Sequence, residues 1–141
     1  MPLDLWLAPV DAITFADVEQ LAHAQVEEGS RLEFKRALPT SDGQPDRWMR
    51  DQSGIGRVAR DDIAKEVVAF ANAYGGIVIV GMDETADNPK RAKAIFSPQI
   101  PRVVDCAEQL TRALRAVIDP PLPMLSTRNS FEPQWGGHHL R

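Results

Sequence analysis

The sequence predicts an α+β fold, a mixed β-sheet of about four to six strands packed against two or three helices. Three stretches carry that expectation. In DDIAKEVVAFANAYGG, Ile63, Val67, Phe70, Ala71 and Tyr74 recur at three- and four-residue steps, the mark of one buried helical face. Ile77 to Val80 then form an unbroken β-branched run of the kind a central strand needs. Upstream, Ser30 to Arg36 (SRLEFKR) alternates strictly, with Leu32 and Phe34 on one face and Arg31, Glu33 and Lys35 on the other.

In chain order, Pro2 to Ala12 reads as an arm that lays Leu5, Trp6 and Leu7 on this domain or on a second copy. Thr14 caps a helix whose first turn holds Asp17, a weak capping box. Phe15, Val18, Leu21, Ala22 and Val26 give that helix one apolar side, and Glu27-Glu28-Gly29 close it. His23 lies near its polar boundary and is assigned nothing. On the LEFK strand, Glu33 and Lys35 read either as a surface ion pair or as a face that handles metal or phosphate.

Leu38 to Ile55 is an irregular loop, and a loop that long in a compact domain is functional or disordered. Arg47, Trp48 and Arg50 set an aromatic between two bases. That pattern suits stacking on a base while gripping phosphate, or else Trp48 pins the loop to the core. Gly56, Arg57 and Arg60 lead into the central helix, which opens on Asp61 and Asp62 and ends at Gly75-Gly76. Gly81, Met82, Asp83 and Glu84 place two carboxylates just past the strand end. A short strand over Ala92 to Phe96 follows, antiparallel to the one before it. Pro101 opens a helix from about Arg102 to Asp119, with Val103, Ala107, Leu110, Leu114 and Val117 on its apolar face. Pro120, Pro121 and Pro123 stop it, Met124 to Thr127 add an edge strand, and residues 128–141 read as an irregular tail.

Composition fits one domain: 141 residues, 43% apolar and 26% charged. A lone cysteine, Cys106, falls in step with Val103, Leu110 and Val117 and reads as a buried structural thiol. No apolar run is long enough to cross a bilayer, the N-terminus lacks the charge pattern of a secretion signal, and the expected compartment is the cytoplasm. The net charge of −4 is unevenly spread. Residues 1–33 hold seven acids and one base, whereas 34–141 hold 15 bases and 13 acids. Twelve of the 16 bases are arginine, the side chain suited to forked contacts with phosphate. A polyanion partner is permitted, not required. No phosphate loop, zinc spacing or nucleophile with an arranged base is present, so ATP binding has no support.

SRLEFKR, the AFANAYGG helix end and IVIVGMDE together resemble the Schlafen-type AlbA-like domain, from about Glu28 to about Pro123. The domain boundaries read as 1–29 for the arm and first helix, 30–127 for the AlbA-like domain with a loop insertion at 38–56, and 128–141 for the tail. The resemblance implies a nucleic-acid-binding module of a bacterial regulatory or defence protein. It further implies, for nuclease members, two glutamates five residues apart and a later aspartate that hold Mg²⁺ or Mn²⁺. Glu28, Glu33 and Asp83 match those places, with Glu84 as a substitute, and Lys35 is the candidate phosphate holder. Arg36, Arg47, Trp48, Arg50, Arg57 and Arg60 are the nucleic-acid-binding candidates. Schlafen nucleases join two lobes into one groove and this chain holds one, so a homodimer is expected, or further domains of a longer chain. The competing class is a module for protein–protein interaction or oligomerisation, using the Leu5-Trp6-Leu7 arm and the acidic N-terminus.

Overall fold

Parallel pairing of two short strands places the rest of the chain. In the computed structural model, which describes residues 13–73, 75–96 and 99–118, β1 (Leu32–Lys35) lies beside β2 (Ile77–Val80). Leu32, Glu33, Phe34 and Lys35 stand opposite Ile77, Val78, Ile79 and Val80. Parallel neighbours need a crossover. Here it comprises a 3₁₀ turn (Arg47–Arg50) and α2 (Arg57–Ala71). Next, β3 (Met82–Glu84) pairs antiparallel with β4 (Ala92–Ile95), and α3 (Val103–Val117) completes the described elements; α1 (Phe15–His23) precedes them.

β1 divides two cores. Its apolar residues Leu32 and Phe34 join Ile13, Leu21, Met82 and Ala92, packing α1 against β1, β3 and β4. Each of these large side chains stabilises the fold by about 1.5–3 kcal/mol on burial. The second core lies between α2, α3 and the loop before α2, with Leu38, Trp48, Ala59, Ile63, Cys106, Leu114 and Ile118. Glu33 and Lys35, on the other side of β1, turn toward α2. The alternation legible in SRLEFKR is therefore the partition between an apolar core and a charged interior seam.

The α+β class stands, and so do the antiparallel strand at 92–95 and the capped first helix. Thr14 and Asp17 close a full capping box, Thr14 Oγ1 accepting from the Asp17 N–H at 3.2 Å and Asp17 Oδ2 from the Thr14 N–H at 2.9 Å. Four expectations are corrected. The four strands form two two-stranded sheets, not one sheet. α1 ends at His23, and Gln25 takes a positive φ of 49°, so Glu27 and Glu28 leave the helix; Glu27 makes an isolated antiparallel bridge to Arg91. α2 starts a turn early, at Arg57, which moves Asp61 and Asp62 off the helix N-terminus. Asp83 and Glu84 lie within a strand, because Gly81 (φ 107°) redirects the chain and lets β3 begin at once. The Leu5-Trp6-Leu7 arm, Tyr74, the proline stop, the Met124–Thr127 strand and the tail fall outside the described residues.

The two glycines after α2 have different reasons. Gly75 takes φ 85° and its N–H caps the Phe70 carbonyl at 2.8 Å. A Cβ on Gly76 would sit 2.6 Å from the Phe70 ring and 2.9 Å from the Arg31 carbonyl oxygen, both held by the helix and the strand. Gly76→Ala is expected to lower stability by about 1–3 kcal/mol in denaturant unfolding. Gly29→Ala, where an added Cβ meets nothing within 4 Å, is expected to stay within about 0.5 kcal/mol of wild type. Equal behaviour of the two would contradict the close approach of β2 to β1.

Candidate functional site

The charged side of β1 collects acids from four parts of the chain. Glu33 projects from β1 itself. Glu28 is held by two backbone contacts: its N–H donates to the Lys90 carbonyl at 2.9 Å, and its carboxylate accepts the Phe34 N–H at 2.8 Å. From β3 comes Glu84, whose Oε1 pairs with the Lys90 ammonium at 3.1 Å. α2 adds Asp62 and Glu66, one turn apart, and both grip Lys35, at 2.7 Å and 3.7 Å. Glu33 lies 3.8 Å from the same ammonium.

The electrostatics show which acids belong together. Burial, then repulsion from Glu28 and Glu66, pushes the Glu33 carboxyl up to about 7, against a weaker opposing pull from Lys35. Glu28 is raised as well, by burial first and by Glu84 after it, in spite of the Phe34 N–H. Burial works against the charged Lys35, but Asp62, Glu66 and Glu33 outweigh it and hold the ammonium above its ordinary value. Glu84 Oε2 is buried and meets no donor. Glu28, Glu33 and Glu84 thus form one coupled group, with Asp62 and Glu66 joined to it through Lys35.

Of the residues singled out by sequence, Glu28, Glu33 and Glu84 come together. Asp83 does not join them. Its Oδ1 accepts the neighbouring Glu84 N–H at 3.0 Å, and it perturbs neither Glu28 nor Glu33. The ladder with β4 slips between Asp83 and Glu84, and neighbouring residues of a strand face opposite ways. Lys35 is engaged by three carboxylates, so its ammonium is not free for a phosphate. Of the two readings of Trp48, the structure shows the one in which it pins the loop to the core, and its place among the nucleic-acid-binding candidates is corrected. It is 2% exposed, its indole N–H donates to the Pro101 carbonyl at 2.8 Å, and the Arg102 guanidinium covers its ring at 4.1 Å.

The arginine candidates are exposed, apart from half-buried Arg60, which is bound to Asp61 at 2.8 Å. Arg36 lies over the Phe96 ring at 5.0 Å. Arg47, Arg50 and Arg57 make no ion pair among the described residues. Sequence reasoning missed Asp62, Glu66 and Lys90, which only tertiary pairing reveals. It also missed Asp46, whose signal was its place just before Arg47-Trp48, where an N-cap belongs.

The family model described as Schlafen, AlbA_2 matches residues 28–135, from the first of the coupled glutamates through most of the chain. The chain belongs to the Schlafen AlbA_2 family. No curated protein and no solved structure matches it. Membership suggests a nucleic-acid-related function for this Schlafen AlbA_2 domain.

The cation that the family resemblance implies is suited to these donors in kind. Carboxylate oxygens are hard ligands, and Glu84 Oε2 is a buried oxygen with no donor. The arrangement does not fit it. Among the described residues no three His, Cys, Asp or Glu side chains stand together as a ligand set. As placed, Glu28 and Glu33 share one half-buried place, where burial and neighbouring acids raise both carboxyls.

That sharing has a pH signature. Glu33 titrates at 4.5 when unperturbed and at about 7 when folded, so the folded chain holds an extra proton between those values. Its contribution to stability is whole below 4.5 and is lost as pH rises through about 7. Solvent reaches these groups, which keeps the effect to about 1 kcal/mol. Denaturant unfolding of Glu33→Gln is expected to show a correspondingly flatter pH dependence over that window. Parallel curves for the two proteins would contradict the coupling.

Proposed function

We propose that this chain is a nucleic-acid-binding domain, a reading supported by its membership of the Schlafen AlbA_2 family. The observation that carries it is the set of exposed, unpaired arginines. Arg36, Arg47, Arg50 and Arg57 are exposed and form no salt bridge among the described residues, with Arg57 acting on Asp61 only at longer range. Guanidinium groups in that state are available to phosphate oxygens, and phosphate contact supplies sequence-independent affinity. Cytoplasmic location, a homodimer and a place within a bacterial regulatory or defence protein accompany this proposal; among the described residues no helix is long and apolar enough to cross a membrane. The interaction-module class makes the opposite prediction for salt.

A second reading, a divalent-metal-dependent nuclease, is favoured by the convergence of Glu28, Glu33 and Glu84. It requires those side chains to rearrange from the positions described, and it assigns the third carboxylate to Glu84 ahead of Asp83.

Affinity for labelled single-stranded RNA and DNA is expected to fall steeply as salt rises. Arg47→Ala, Arg50→Ala and Arg57→Ala should each flatten the log–log salt slope by about 0.7. Affinity indifferent to salt would favour the protein-interaction class. For cleavage with Mn²⁺, Glu33→Ala and Glu84→Ala are expected to abolish activity while Asp83→Ala retains it. Equal cleavage by all variants and wild type removes the acids from any mechanism.

A further inference from the structure

The loop before α2 contains a buried charge that neither the coupled acids nor the exposed arginines explain. Asp46 is 4% exposed. Its Oδ2 accepts the Trp48 N–H at 2.9 Å, capping the 3₁₀ turn, and its Oδ1 accepts the Gly56 N–H at 3.0 Å, at the N-cap of α2. Capping a turn needs only one acceptor, which serine or asparagine provides, and burying a carboxylate is costly. A carboxylate suits this position because Oδ2 takes the Trp48 N–H while the Gly56 N–H is shared between Oδ1 and Oδ2, at 3.0 and 3.3 Å, and an asparagine would turn its NH₂ toward one of these donors. Gly56 is matched to it: a Cβ there would lie 2.4 Å from Asp46 Oδ1.

The outer side of this joint carries the arginines. Arg47 follows Asp46 directly, and Arg57 follows Gly56 directly. With Asp46 Oδ1 and Gly56 N at 3.0 Å, chain geometry holds the Cα atoms of Arg47 and Arg57 within about 16 Å. That is the span of a few nucleotides. Behind the joint, Trp48 is anchored to Pro101, and Arg102 Nη2 donates to the Trp48 and Gln52 carbonyls at 3.1 and 3.3 Å. The turn is thus fixed from within, and its arginines are presented from a rigid base instead of a free loop.

We infer that Asp46 is a positioning residue. Together with Gly56 it locks the 3₁₀ turn to the start of α2, so that Arg47, Arg50 and Arg57 act as one phosphate-binding surface for a single nucleic-acid strand. This rests on the nucleic-acid-binding reading and adds the surface and the residue that assembles it. Because Asp46 acts through the arginines, its loss and theirs must not add.

The test is a double-mutant cycle read by the salt dependence of affinity for fluorescein-labelled oligo-uridylate and oligo-thymidylate. Circular dichroism checks that each variant is folded. Arg47→Ala/Arg50→Ala is expected to lower the salt slope by about 1.4, the value for two phosphates on a single strand. Asp46→Asn, which offers one acceptor oxygen in place of two, should produce most of that loss, and the triple variant should lose nothing more. Gly56→Ala attacks the same joint from its other side and should reproduce Asp46→Asn, which keeps the test in force if the asparagine variant does not fold. An unchanged slope in both joint variants, or full additivity with the arginine changes, overturns the inference and leaves the binding reading intact. Wild-type affinity independent of salt overturns both.

Discussion

The parallel contact between β1 and β2 is the constraint on which the other features depend. It requires a crossover, and the crossover is α2, whose two acids one turn apart close on Lys35 of the first strand. The approach of the strands is set by Gly76, where even a methyl group would strike both the Phe70 ring and the Arg31 carbonyl oxygen. Once β1 is fixed, its alternation does two tasks together. Leu32 and Phe34 close one core, while Glu33 and Lys35 are forced into a half-buried seam facing the helix.

That seam explains the perturbed acids. A carboxyl in partial burial beside two others is harder to ionise, and Glu33 shows the effect most strongly. Lys35 offsets part of the charge but is already shared among three carboxylates. Exposed arginines occur at the end of β1, at the 3₁₀ turn and at the start of α2. The domain thus carries both an acidic seam, rimmed by Lys35 and Lys90, and a set of exposed arginines. An acidic seam repels phosphate unless protons or cations occupy it.

Much of this was legible in the sequence where a local rule settles the outcome. The LEFK alternation, the Thr14–Asp17 box and the glycine helix end follow from side-chain period or backbone freedom and appear as read; the IVIV run is a strand, but a half-buried one with a single partner among the described residues and not a central one. Glu28 and Glu33 were placed by family resemblance, and they do meet. What could not be read depended on contacts across the chain. Trp48 reads as a stacking residue or as a pin to the core, and only Pro101 and Arg102, more than fifty positions later, decide for the pin. Glu84 meets the other acids while Asp83, its neighbour on the strand, does not, and which of two adjacent acids faces inward leaves no mark in residue type. The early start of α2 was hidden because Gly56 caps it with a backbone N–H bound to Asp46, where a side-chain cap would have announced it.

The central claim is that Glu28 and Glu33 share one half-buried site. Carbon-13 NMR of the side-chain carboxyls, followed through a pH titration, tests it most directly. The account predicts that Glu33 titrates at about 7 in the wild-type chain and moves down toward its ordinary 4.5 in Glu28→Gln. A Glu33 carboxyl that titrates near 4.5 in both proteins would contradict it.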